Sequence, residues 1–266
     1  MLLSVRDLTR RYAGLMAVDS VSMDVVPGTI HAVIGPNGAG KTTLFNLISG
    51  LVAPSAGTIT LDGTAITTRP ANERATLGLG RTFQNIRVFG AMTVLENALT
   101  GLNARPVPGL GATLLRLPSF RRHERAAVAQ ARAALVQVGL QDRADLPAGA
   151  LPYGDHRRLE IARAMAAAPR LLLLDEPAAG LNPAETTALA VLVRQLRDAG
   201  TTILLVEHDM GFVMDISDVV TVLNFGRRIF EGPPAAVRQE PVVIEAYLGP
   251  KVAARLAAGQ KVGRGV

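Results

Sequence analysis

Residues 35–42 read GPNGAGKT, and they stand between the apolar run TIHAVIG and the helical TLFNLISG. A loop of that composition, following a strand and opening a helix, is the phosphate-binding P-loop pattern. Glycines let successive backbone N–H groups turn inward around phosphate oxygens, and the following helix directs the positive end of its dipole at the same point. The expected contacts are Gly35, Asn37, Gly38, Ala39 and Gly40 along the loop, with Lys41, Thr42 and Thr43 at the helix start. Lys41 is expected to reach the β- and γ-phosphates, and the Thr42 hydroxyl to ligate Mg²⁺. The stretch predicts a nucleoside triphosphate site on an α/β framework.

Outward from that loop, VSMDV sets Val21, Met23 and Val25 on one side, and GTITLDG does the same with Ile59 and Leu61. This period of two, bounded by Gly and Pro, predicts an antiparallel sheet flanking the buried strand TIHAVIG. From about Met92 to Ala168 the pattern is helical, most clearly in ERAAVAQARAALVQVGL. LLLLD and TTILLVEHD are short continuous apolar runs, as expected of parallel strands buried on both faces. Between them PAETTALAVLVRQLRDAG starts at Pro and stops at Gly, which marks a crossover helix. DVVTVLNFGRRIFEG reads as a hairpin turning at Asn224 to Gly226, VVIEAYLG as a short helix, and KVAARLAAGQKVGRGV as a loose basic tail.

Composition narrows the function classes. The chain has 266 residues, 48% of them apolar, which is ample for a packed interior. Without a cysteine there is neither a disulfide framework nor a thiolate metal site, so a reducing compartment is expected. Charge appears as early as Arg6, so no secretory leader is expected, and no apolar run approaches a bilayer span. The net charge of +6 suits phosphate ligands, anionic lipid or nucleic acid. The basic residues are scattered, however, and with seven Phe, three Tyr and no Trp there is little to stack bases on. No nucleic-acid partner is expected.

Two adjacent acids close the LLLLD strand. Asp175 is expected to hold Mg²⁺ through water, and Glu176 to orient or deprotonate an attacking water. Nothing resembles an NKxD base reader, so ATP rather than GTP is the expected nucleotide.

In this order the motifs resemble the nucleotide-binding subunit of an ABC transporter, over essentially residues 1 to 250. The resemblance implies a P-loop, RecA-like α/β core with a mainly parallel sheet, an antiparallel β subdomain and a helical subdomain inserted at about 86–168. Residues 251–266 are left as the tail. It also implies cofactors ATP and Mg²⁺. LPYGDH stands where the family has its LSGGQQ signature, so Leu151, Pro152, Tyr153, Gly154 and Asp155 are implied to meet the nucleotide of an opposing subunit, ahead of a helix from IARAM onward. Gln84 in RTFQN matches the Q-loop, implied to touch Mg²⁺ and sense the membrane partner. Tyr12 in RRYAG matches an adenine-stacking aromatic, and His208 after TTILLVE matches the switch histidine at the γ-phosphate. AGLN at 179–182 resembles the D-loop, with Asn182 where Asp is more usual.

GLGRTFQNIRVFGAMTVLENAL, LLRLPSFRRHER, LPYG and IEAYLG look like the ATPase of branched-chain amino acid importers. That resemblance implies two membrane-spanning permease subunits, a second ABC ATPase of the same or a different chain, and indirectly a periplasmic solute-binding protein. The implied location is peripheral, at the cytoplasmic face of the bacterial inner membrane. Lipid or lipopolysaccharide export, and a non-transport ABC ATPase acting on nucleic acid, are the alternative readings. The segment 101–125 reads equally as a docking face for a permease helix or as packing within the insertion.

Overall fold

The computed structural model describes residues 1–83, 88–102 and 118–249. These fall into two compact units, one of residues 1–68 with those from 204 onward, the other Arg69–Ile203. Gln84, most of the 101–125 segment and the 251–266 tail lie outside the described residues.

In the first unit, β1 (Leu3–Tyr12), β2 (Leu15–Val25), β4 (Ala56–Leu61) and β5 (Thr64–Ala65) form an antiparallel sheet in the order β2-β1-β4-β5. The alternation read in the sequence is its inner face. Leu3 pairs with both Val25 and Leu61, and Leu3, Val5, Val21, Val25 and Ile59 are wholly buried. β3 (Ile30–Ile34) belongs to a different sheet, where it runs parallel to β9 (Val219–Asn224) and neighbours β8 (Thr202–Val206). Every residue of β3 is buried, which suits a strand covered on both faces. β9 returns as β10 (Arg227–Gly232) through the expected hairpin at Phe225 and Gly226. Helices α1 (Lys41–Ser49), α7 (Met210–Ile216), α8 (Pro234–Val237) and α9 (Pro241–Leu248) complete this unit.

One polar chain lies inside this apolar sheet. His31 on β3 is 1% exposed, its Nε2 lies 2.8 Å from Thr221 Oγ1, and the Thr221 hydroxyl donates to Glu231 Oε2 at 2.7 Å. Burial pushes the His31 pKa down to about 4, against the pull of Glu231.

The second unit contains α2 (Ala71–Thr76), β6 (Leu79–Arg81), α3 (Val94–Thr100), α4 (Pro118–Gln137), α5 (Tyr153–Met165), β7 (Leu171–Asp175) and α6 (Pro183–Asp198). β6 and β7 pair in parallel, and β7 is buried at every position, as the run LLLLD predicts. α3 opens on a capping box between Thr93 and Glu96, and buried Asn97 donates to the carbonyls of Phe89 and Thr93. This unit is broader than the helical segment expected at 86–168, because β6, β7 and α6 group with it.

Candidate functional site

The first unit builds the phosphate loop from main chain. β3 ends at Ile34, and Gly40, with φ 98°, is the N-cap from which α1 begins. Gly35 and Gly40 are fixed by close approach, since a Cβ would stand 2.2 Å from Leu223 O at the first and 2.3 Å from Ala17 O at the second. The β9–β10 turn braces the loop from behind, with Gly226 N–H donating to Ala39 O at 3.0 Å. Gly35 and Ala39 are buried, whereas Asn37 and Gly38 are exposed and help line a cavity of about 440 Å³. Lys41 is 8% exposed, and its Nζ donates to Gly35 O at 2.6 Å and Pro36 O at 3.0 Å. The ammonium is therefore already held inside the loop, while Thr42 at the same helix end faces solvent and Thr43 is half-buried.

Two further expected residues lie in this unit. Tyr12 ends β1 at 40% exposure, with the Arg10 guanidinium 4.5 Å from its ring centroid. His208 follows β8 with an exposed side chain, and its Nδ1 is 3.6 Å from Glu207 Oε2. Glu207 is fully buried, and its carboxylate accepts from the backbone N–H of His208 at 2.9 Å and of Asp209 at 3.3 Å. Asp209 in turn caps α7 by accepting from Phe212 N–H. Sequence reading assigned Glu207 nothing. The available signal was an acid closing a wholly apolar strand, a position that requires a partner.

The second unit carries the acids and the signature loop, and there side chains do the holding. Asp175 is 3% exposed, Arg81 Nη2 donates to its Oδ2 at 2.9 Å, and its N–H donates to Thr82 Oγ1 at 3.3 Å. Burial raises the Asp175 pKa above the ordinary carboxylate value, while Arg81 pulls it down. Glu176 follows with φ 46°, a left-handed conformation that strains a non-glycine residue, and its carbonyl accepts from Ala179 N–H at 3.2 Å.

The helix after LPYG begins at Tyr153, not at IARAM. Pro152 is the N-cap, and its carbonyl accepts from Asp155 N–H at 3.0 Å and His156 N–H at 3.1 Å. Gly154 lies in the first turn, where a Cβ would stand 2.9 Å from Glu185 Oε1. Leu151 is buried and Pro152 exposed. Asp155 is paired with Arg143, and Arg158 Nε is 4.0 Å away. Inside α5, Arg157 Nη1 and Glu160 Oε2 form a buried pair at 3.0 Å, and Glu160 Oε1 accepts from Phe83 N–H at 3.2 Å. Burial raises the Glu160 pKa, opposed by the Phe83 N–H and by Arg157 and Arg163. Asn182 is the N-cap of α6, accepting from Glu185 N–H at 2.9 Å while Glu185 accepts from Asn182 N–H at 2.9 Å. A cavity of about 340 Å³ opens against Pro152, Gly154, Arg158, Asn182 and Glu185.

Arg81, Arg157 and Glu160 were missed in the sequence. The helical spacing of Arg157 and Glu160 was a usable signal, but Arg81 meets a carboxylate 94 positions away and left no local trace.

A family profile described as ABC transporter matches residues 18–179, and a second, described as branched-chain amino acid ATP-binding cassette transporter, matches 227–249. The chain therefore belongs to the ABC transporter ATP-binding family, and its fold is the ABC ATPase fold, a P-loop α/β core with an antiparallel subdomain and helices. It is 48% identical over 249 residues to LivG of Escherichia coli K12, a high-affinity branched-chain amino acid transport ATP-binding protein, covering 93% of this chain and 98% of that one. BraF of Pseudomonas aeruginosa, of the same description, is 47% identical at the same coverage. Among solved structures, MJ1267, an ATP-binding cassette of an ABC transporter in its ADP conformation, superposes with a TM-score of 0.82 at 31% identity, covering 94% of this chain and 99% of that one.

Proposed function

We propose that this chain is the ATP-hydrolysing motor of an ABC importer for branched-chain amino acids or related solutes. The observation that carries the reading is the glycine cradle with Lys41 seated in it. Its main-chain amides and the start of α1 suit an anion, and the buried ammonium can exchange a carbonyl for a phosphate oxygen. The match of residues 227–249 to a branched-chain amino acid cassette profile favours import of such solutes over lipid or lipopolysaccharide export.

In this reading Gly35, Asn37, Gly38, Ala39, Gly40, Lys41, Thr42 and Thr43 hold the phosphates, and Tyr12 offers adenine the ring face that Arg10 leaves uncovered. A hydroxyl at Thr42, an amide at Gln84 and a carboxylate at Asp175 fit Mg²⁺, which takes few protein ligands and keeps water and phosphate oxygens as the rest. Mg²⁺ when bound neutralises charge developing on the phosphates. Glu176 accepts the proton of the attacking water, and His208 meets the γ-phosphate. Leu151 to Asp155 engage the nucleotide of the second ATPase, with the pairing of Asp155 to Arg143 limiting its repulsion of phosphate. Residues 1–250 form one nucleotide-binding domain, and 251–266 a tail.

No helix among the described residues is long and apolar enough to cross a membrane. We assign the spanning role to two permease subunits, fed by a periplasmic binding protein, with this chain peripheral at the cytoplasmic face of the inner membrane.

The test is a pair of substitutions in the assembled transporter. Lys41→Ala should abolish tight ATP binding, whereas Glu176→Gln should keep binding and lower hydrolysis by about 100-fold or more. Unchanged nucleotide affinity in Lys41→Ala, measured by direct titration, would overturn the phosphate-loop assignment.

A further inference from the structure

The signature loop is tied by one hydrogen bond to the loop that follows Glu176, and is closely packed against that loop and the first turn of α6. The Tyr153 hydroxyl donates to Ala179 O at 3.2 Å, and its ring lies so close to Gly180 that a Cβ there would stand 2.8 Å from the hydroxyl oxygen. One residue on, a Cβ at Gly154 would meet Glu185 Oε1 at 2.9 Å. Glu185 is held in that position by its capping box with Asn182, so it has little freedom to withdraw. The connection continues to the acid itself, because Ala179 N–H donates to Glu176 O at 3.2 Å. The two hydrogen bonds meet at Ala179, whose C=O accepts from the Tyr153 hydroxyl and whose N–H, in the preceding peptide unit, donates to the carbonyl of the proposed base. Tyr153 remains 47% exposed, so packing alone does not account for its fixed orientation.

We propose that Tyr153 is a positioning residue that transmits engagement of the signature loop to Glu176 through Ala179. This rests on the reading of 151–155 as the loop that meets the opposing subunit's ATP. If that loop serves the opposing nucleotide and Glu176 serves this subunit's own, the tyrosine links the two sites mechanically. Movement of α5 toward the opposing phosphate pulls on the Ala179 carbonyl and turns the strained backbone at Glu176. The base is then aligned only when the neighbouring site is closed. The aromatic at position 153 supplies a reach and a hydroxyl that a glycine there would lack.

The experiment uses the full chain assembled with its membrane subunits. Tyr153→Phe keeps the ring and removes only the hydroxyl. ATP affinity of the isolated chain should stay at the parental value, because the phosphate loop is untouched, and its melting temperature should fall by no more than about 5 °C. The maximal ATPase rate of the assembled transporter should fall about 3- to 10-fold, the scale of one neutral hydrogen bond, with KM for ATP little changed and the Hill coefficient reduced toward 1. Gly180→Ala, which at φ 78° also strains the backbone, displaces the hydroxyl from the other side and should reduce cooperativity at least as much, and the double variant should lose no more cooperativity than Gly180→Ala alone. A parental rate and Hill coefficient in Tyr153→Phe, or cooperativity losses that simply add in the double variant, would overturn the proposal. Gly154→Asp separates this from the reading beneath it. Normal hydrolysis in Gly154→Asp removes the signature assignment itself, whereas loss of hydrolysis there beside a parental Tyr153→Phe removes the tyrosine link alone.

Discussion

The phosphate loop and the acid-bearing loop are both expected to handle one nucleotide, yet they are held by different forces. Gly35 and Gly40 are wedged against the carbonyls of Leu223 and Ala17, and the turn behind them donates a backbone N–H to Ala39. Asp175, Glu160 and Asn182 are held by side chains instead, through Arg81, Arg157 and Glu185. Main-chain contact gives a cradle whose shape is set mostly by backbone packing, with the Lys41 ammonium spanning two of its carbonyls. Charge pairs give a site whose geometry can respond to changes in ionisation and contact. A loop that must present a fixed set of amides suits the first, and a loop that must realign a base suits the second.

The contrast can be broken most forcefully at Arg81. Arg81→Met leaves Asp175 buried and unpaired, which should destabilise the protein by about 3–5 kcal/mol. Adding Asp175→Asn should restore most of it, as chemical denaturation would show. If Arg81→Met alone is neutral, the second unit is not held by this pair.

His31 sharpens the comparison from the other side, because it puts a titratable group beneath the phosphate loop. Its pKa is lowered to about 4 from an ordinary 6.5, so the neutral form is favoured in the folded state. The associated stability is complete above pH 6.5 and is lost as pH falls through the window from 6.5 to 4. On the scale of 1.36 kcal/mol per pKa unit it amounts to about 3 kcal/mol. His31→Gln should flatten that part of the stability–pH curve. A curve of unchanged slope in the variant would assign the titration elsewhere.

Gly35→Ala attacks the main-chain arrangement directly. With Leu223 O 2.2 Å from the new Cβ, the end of β3 or of β9 must shift, and nucleotide affinity should fall by about 100-fold. Isothermal titration of the isolated chain would measure it. The smallest effect is expected at Asn182, where Asn182→Ala removes one helix cap for about 1 kcal/mol. Thermal melts should show that loss and find Asn182→Asp close to neutral, because either side chain can accept from Glu185 N–H.

Local chemistry made much of this molecule legible. Alternation marked β2 and β4, continuous apolar runs marked β3, β7 and β8, and a Pro at N1 marked the start of α6, because each signal acts within a few residues. The start of α5 was misjudged by eight residues. Gly154 costs a helix backbone entropy, but its place in the first turn is set by the Glu185 carboxyl packed against it, which only the fold brings near. The same holds for Tyr153, whose partner Ala179 is 26 positions away.

The sequence by itself determined the phosphate loop, the order of strands and crossover helix, the adjacent acids and the family to which the chain belongs. These rest on backbone conformation, hydrophobic period and residue spacing, all of which are short-range properties of the chain. Only the tertiary structure decided that Lys41 is seated on its own loop carbonyls, that Arg81 holds Asp175, that Glu207 pins the backbone of His208, and that Tyr153 donates to Ala179 O. A buried charge or hydroxyl accepts whichever partner packing brings within about 3 Å, and that choice is made by the whole fold rather than by neighbours in sequence.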